Sequence, residues 1–158
     1  MKSNSFKIII FIACATIISG CNQNMSRPDR DGGVKEIVWP EPVNAKLRSG
    51  RGVFPTSESI SLLNKGMTKD QVYLLIGRPH FGEGLFSVRE WDYLLHFNTL
   101  KHTNNQVTIC QLKIIFNSDK LVANIYWRAI KPENSICPPE SNKNENNQYR
   151  KVNGVTFI

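Results

Sequence analysis

Three stretches in the second half of the chain alternate with a period of two. Trp91, Tyr93, Leu95 and Phe97 alternate with Asp92, Leu94 and His96; Cys110, Leu112, Ile114 and Phe116 with Ile109, Gln111, Lys113 and Ile115; Leu121, Ala123, Ile125 and Trp127 with Val122, Asn124, Tyr126 and Arg128. A strand turns successive side chains to opposite faces, so each stretch gathers large apolar groups on one side. Asn117-Ser118-Asp119-Lys120 is a tight hairpin connection between the last two. The pattern predicts a three-stranded antiparallel meander whose aromatic face must be covered. The opposite face is also more apolar than an exposed sheet face should be, with Leu94, Ile115, Val122 and Tyr126 among Asp92, Lys113 and Arg128. Either the N-terminal segment around Trp39 folds over it or a partner protein does; cover from within the chain is the expectation.

The cover for the aromatic face precedes the strands. Thr56-Ser57 offers an N-cap to a short helix running through Leu63, with Ile60 and Leu63 on one face, and Gly66 ends it. The next helix is marked at both ends. Thr68 and Gln71 form a capping box, and Met67 and Val72 occupy the two positions of a hydrophobic staple. Val72, Leu75 and Ile76 make one apolar stripe. Gly77 can take the left-handed conformation past the helix end, and Pro79 prevents continuation. So short a helix is marginal in isolation, since nucleation is costly below about 12–15 residues. Its markings fix where it starts, stops and points, which is architecture rather than chemistry. The expected fold is α+β: two short helices packed on one face of a three-stranded antiparallel sheet.

The N-terminus carries an address. Lys2 and Lys7 precede an apolar run from Ile8 to Ile18, and Ser19-Gly20 precede Cys21. A basic start, a short apolar run and small residues before the cut describe a secretory signal, and the run is shorter than the roughly 20 residues a spanning helix needs. Residues 1–20 are therefore expected to be removed. Residues 21–35, rich in Asn, Asp, Arg and Gly, read as a flexible tether, and residues 36–55, with Trp39-Pro40-Glu41-Pro42, as an extended lead-in with one short strand near Val53. Residues 56–137 form the domain, and the polar, Asn-rich residues 138–158 read as a disordered tail in which Val155 to Ile158 could add an edge strand.

Charge and cysteine content bound the function. The chain carries 20 basic and 13 acidic residues, a net +7 that falls to +5 once Lys2 and Lys7 are lost. That charge tolerates an anionic surface, but no run of five like charges exists to track a nucleic-acid backbone, so nucleic acid is excluded as a partner. Cys14 leaves with the signal and Cys21 is the candidate lipid site. Cys110 and Cys137 then remain as a pair that an oxidising compartment would join as a disulfide, with stabilisation on the order of 2–4 kcal/mol. Zinc would need more ligands than the sequence supplies, and no cofactor is expected.

Ile18-Ser19-Gly20-Cys21 resembles the lipobox of bacterial lipoproteins, whose cysteine is acylated and becomes the mature N-terminus; Asn22 after it resembles the outer-membrane sorting pattern. The succession of lipobox, Gly66-Met67-Thr68-Lys69-Asp70-Gln71-Val72, Ile76-Gly77-Arg78-Pro79, Trp91-Asp92-Tyr93 and a closing strand resembles the SmpA/OmlA family of BamE-like outer-membrane lipoproteins, over about Ser57 to Arg128. Pro79-His80-Phe81, Glu83-Gly84, Val88 to Tyr93 and the Cys110/Cys137 pair look closer still to a subgroup in which this domain often precedes a peptidoglycan-binding OmpA-like domain. Here residues 138–158 follow instead. The resemblance implies a non-enzymatic adaptor, lipid-anchored on the periplasmic face of the outer membrane. Its partners would be components of the outer-membrane protein assembly complex, and its role β-barrel assembly or envelope integrity. The alternative is a periplasmic protein-binding or inhibitor module on the same scaffold.

Candidate sites follow from chemistry and from this resemblance. His80 with Glu83, and Asp92 with His96 on one strand face, have the residue types for metal or acid–base work, yet no third ligand or nucleophile accompanies them. The loop His80 to Arg89 holds Phe81 and Phe86 beside Gly82 and Gly84. Apolar residues on a connecting loop either plug the domain or meet a partner. In the related lipoproteins the corresponding loop contacts partner and lipid, so Phe81, Gly82, Gly84, Phe86 and Arg89 are the expected contact residues. Arg89 could also pair with an anionic phospholipid. Gly66, Met67, Thr68, Gln71, Gly77, Pro79, Trp91 and Tyr93 are expected to be structural. Replacing Cys21→Ser should release the protein from the membrane fraction and stop incorporation of radiolabelled palmitate; unchanged labelling would rule out the lipobox.

Overall fold

The computed structural model describes residues 25–47, 52–83, 88–101 and 104–139. Cys21, Gly84, Phe86 and the segment 140–158 lie outside the described residues. Strands β1 (Glu90–Lys101), β2 (Asn104–Phe116) and β3 (Val122–Lys131) form one antiparallel meander in the order β1-β2-β3. The period-two pattern sets the register. Trp91 lies opposite Ile114, Tyr93 opposite Leu112 and Leu95 opposite Cys110, while Ile114 and Leu112 face Ile125 and Trp127 on the other side. These residues, with Phe97 and Phe116, are the buried core.

The β2–β3 register shifts at two places, between Ile109 and Cys110 and between Ile115 and Phe116, and the second changes which residues face the core. Ile115 pairs with Asn124 while Phe116 pairs with Val122, so Ala123 is an extra residue in β3. Such a bulge resets which side chains face inward. Val122, expected on the outer face, is therefore buried in the core, and Ala123, expected inside, meets the N-terminal segment on the outer face.

Helices α1 (Ser57–Ser61) and α2 (Lys69–Ile76) cover the core face. The Thr56 hydroxyl accepts from the Ser59 N–H at 3.1 Å. The capping box is formed in both directions: the Thr68 N–H donates to Gln71 Oε1 at 2.9 Å and the Gln71 N–H to Thr68 Oγ1 at 3.3 Å. Val72 and Ile76 are buried, with Met67 and Leu75 packed beside them. The turn between the helices is pinned to β3, since Gly66 N–H donates to the Val122 carbonyl and Val122 N–H to the Met67 carbonyl, both at 2.8 Å. Gly77 has φ +77° and ψ −161°, a region open essentially only to glycine and more restrictive than the left-handed helical conformation expected there. Its carbonyl accepts from the Tyr93 hydroxyl at 3.1 Å, and the chain then runs back along β1. Val53 makes a single parallel bridge to Leu95, which is all the strand character the lead-in retains among the described residues.

The disulfide Cys110–Cys137 ties the segment after β3 onto β2, with Cys110 fully buried. Thr68→Ala removes the acceptor for one end of α2 and should lower unfolding free energy by about 1 kcal/mol. Urea titration of the oxidised protein measures it, and an unchanged midpoint would mean that tertiary contacts alone hold the helix start.

Candidate interaction site: a strapped sheet face and a clamped loop

Residues 25–47 lie across the outer face of the sheet. Ser26 is buried, its N–H donating to Glu90 Oε2 at 3.0 Å and its hydroxyl accepting from the Val38 N–H at 3.0 Å. The carbonyl of Pro40 accepts from Gln111 Nε2 at 2.8 Å. The Trp39 ring stacks 5.6 Å from Lys113 Nζ and 5.1 Å from the Arg128 guanidinium carbon. Arg128 in turn donates through Nε to Gln111 Oε1 at 3.0 Å. The apolar outer face is thus covered by the chain itself. Residues 25–35 are part of that cover rather than a free tether. Their polar side chains build local structure: Asp29 Oδ1 accepts from the N–H groups of Asp31 (3.0 Å) and Gly33 (2.7 Å), closing a turn. Gly32, at φ +90°, sits so close to the β3 bulge that a Cβ there would lie 2.2 Å from the Ala123 Cβ.

Beneath this cover lies a buried ionic cluster. Lys113, fully buried, pairs with Glu90 and with Asp92 Oδ2, the latter at 2.9 Å. Two carboxylates face one ammonium. Among the described residues Asp92 Oδ1 has no hydrogen-bond partner. Burial is the main cause that raises the Asp92 carboxyl to about 7; the Lys113 charge and hydrogen bond oppose the rise, and neighbouring Glu90 adds to it. An ion cluster withdrawn from water contributes little net stability, but removing one partner leaves an uncompensated charge.

The loop after Pro79 is clamped at both ends. The His80 N–H donates to the Asp92 carbonyl at 2.8 Å, and its Nδ1 lies 3.0 Å from the Leu94 nitrogen, whose N–H it accepts. His80 thereby satisfies the edge of β1 as a neighbouring strand would, and burial lowers its pKa. Phe81 is buried, so it plugs the domain rather than facing a partner. Glu83 Oε2 accepts from the Trp91 indole N–H at 2.6 Å. At the far end Lys69 Nζ donates to the Val88 carbonyl at 2.5 Å while lying 5.2 Å from the Trp91 ring centre and 5.0 Å from that of Phe116. Burial is the main cause lowering the Lys69 pKa. Arg89 is committed as well. Its guanidinium donates to the carbonyls of Phe116 (3.0 Å), Pro28 (3.2 Å), Asp29 and Arg30, so it staples the N-terminal segment to the sheet and is not free for a lipid phosphate. Gly82 is exposed. His96 stacks against Phe54 at 5.4 Å. Among the described residues no group of three or more His, Cys, Asp or Glu could hold a metal.

Residues 52–126 match the outer membrane protein assembly factor BamE domain. The chain carries a BamE domain. The matched span takes in α1, α2, β1, β2 and the first half of β3, and with them Trp91, Lys69, His80 and the buried cluster. The strap from 25 to 47 and Cys137 lie outside it. Trp91 and Tyr93 serve the BamE domain as core, as expected. The pairing of Lys113 with Glu90 and the role of Lys69 went unread in the sequence, where Lys113 stood only as one polar group on the outer face. The signal was there: Glu90, Asp92 and Lys113 share a face with Leu94 and Ile115, and charges placed among apolar neighbours must find one another. Lys113→Met should destabilise the protein by about 3–5 kcal/mol at pH 7, because two carboxylates then lack their ammonium. Adding Glu90→Gln and Asp92→Asn should recover most of that loss in urea unfolding; no recovery would show that Lys113 matters through packing.

Proposed function

We propose that this protein is a lipid-anchored, non-enzymatic accessory factor on the periplasmic face of the outer membrane, acting in the assembly of β-barrel outer-membrane proteins. The carrying observation is the match of residues 52–126 to the BamE domain, a span that coincides with the helix-covered sheet. The lipobox at Cys21 and the following Asn22 support the anchor and the membrane. The arrangement suits a scaffold: the domain spends its titratable groups on internal bonds and presents its surface for contact. In this reading the loop bearing Gly82, Gly84 and Phe86 meets a component of the assembly complex, since Phe81 and Arg89 hold its ends in place. Aromatic anchors commonly carry about 2 kcal/mol or more of an interface each.

Deleting the gene should lower the amount of folded β-barrel protein in the outer membrane and raise sensitivity to bulky antibiotics, with both restored by the wild-type copy. A photocrosslinking residue at position 86 should capture an assembly-complex component. Normal β-barrel levels together with capture of an unrelated periplasmic protein would favour the protein-binding or inhibitor module instead.

A further inference from the structure

The N-terminal strap closes over a cluster whose charges do not balance. Glu90, Asp92 and Lys113 are all buried, and among the described residues the strap itself brings the Ser26 amide and the Trp39 ring to them rather than a second cation. The groups facing the cluster come from every side: Glu90 on β1, Lys113 on β2, Arg128 on β3 across the Trp39 ring, and His80 through its backbone N–H to the Asp92 carbonyl. Arg128 is held by Gln111, so the charge nearest both carboxylates is Lys113 alone. With both carboxylates ionised the three-residue cluster itself holds a net negative charge, and among the described residues Asp92 Oδ1 has no donor. With one proton bound the cluster is neutral. We propose that the N-terminal segment is a proton-latched strap, its closure coupled to one proton held in the Glu90–Lys113–Asp92 cluster.

The direction follows from linkage. Burial raises the Asp92 carboxyl from its ordinary 3.8 to about 7 when the strap is closed. Opening returns it to water and to its ordinary range. Between those two values the closed form binds the extra proton, so closure is strongest in acid and weakens as pH rises toward 7, levelling off above it. For one proton the opening equilibrium rises about tenfold between pH 6 and pH 8. His80 and His96, whose pKa values burial lowers, work in the opposite sense, since the folded protein favours their neutral form. Opening would uncover Leu94 and Ile115 beside the cluster. It would also free residues 25–40, roughly 50 Å of extended chain, between the domain and Cys21. That gain in reach rests on the lipid-anchor reading; the latch itself does not.

Amide hydrogen exchange on the full-length protein in detergent tests the latch directly. The reporters are the N–H groups of Ser26 and Ser118, which bond to Glu90 and to the Arg30 carbonyl across the junction of strap and sheet only when the strap is down. After correction for intrinsic exchange rates, their protection should fall about tenfold from pH 6 to pH 8, while amides inside β2 keep theirs. In Asp92→Asn the protection should be the same at both pH values. Constant protection in the wild type, or an unchanged slope in Asp92→Asn, overturns the proposal. Should Asp92→Asn fail to fold, Glu90→Gln leaves one carboxylate against one ammonium and should likewise abolish the slope in this window; a slope that persists there overturns it equally.

Discussion

Lys113 carries its ammonium group into a sheet face that water does not reach, and much of the molecule is arranged around that fact. A buried ammonium requires carboxylates, and Glu90 and Asp92 supply them from the adjacent strand. The cover satisfies a further oxygen of Glu90 and leaves Asp92 Oδ1 without a donor among the described residues. Ser26 donates its N–H to Glu90, and Trp39 lays its ring between Lys113 and Arg128. The outer face, the strap and the cluster are consequently one unit. The strap's turn at Asp29, the Gly32 approach to the β3 bulge and the Arg89 staple all serve to hold it down.

The opposite face is governed by aromatic packing. Trp91 meets Phe116 edge-on at 5.1 Å, receives Lys69 over its ring and donates its indole N–H to Glu83. One residue thus links the core, the start of α2 and the entry of the loop. Short helices such as α1 and α2 owe their stability to this packing rather than to their length, while the caps decide where they begin. The same economy of parts explains why the loop is held at Phe81, Glu83, Val88 and Arg89. A short loop keeps its geometry only if the frame on either side is rigid.

The BamE domain accounts for the frame, and the strap lies outside the matched span. This division separates two kinds of behaviour. The frame is held by apolar burial, by caps and by a disulfide, none of which titrates near neutral pH. The strap is held by polar contacts over a charge cluster, which does.

Much of this was legible in the sequence. Period-two alternation fixed the three strands and their aromatic face, since side-chain direction in a strand depends only on position. The capping box at Thr68 and Gln71, the stop at Gly77 and Pro79, and the pairing of Cys110 with Cys137 were likewise local or arithmetical matters. What the sequence left open depended on encounters between distant residues. The bulge at Ala123 reversed Val122 and Ala123, because register is decided by the partner strand and its turn and not by the stretch alone. Phe81 and Arg89, two of the residues expected as contact groups, were drawn inward because a buried face and the carbonyls of Phe116, Pro28, Asp29 and Arg30 lay within reach. Residues 25–35 looked like a tether because polarity without periodicity resembles solvated chain. Only the folded sheet and its turns offered Glu90, Arg89, Ser118 and Asn124 as partners, and a polar segment orders when its hydrogen bonds have somewhere to go.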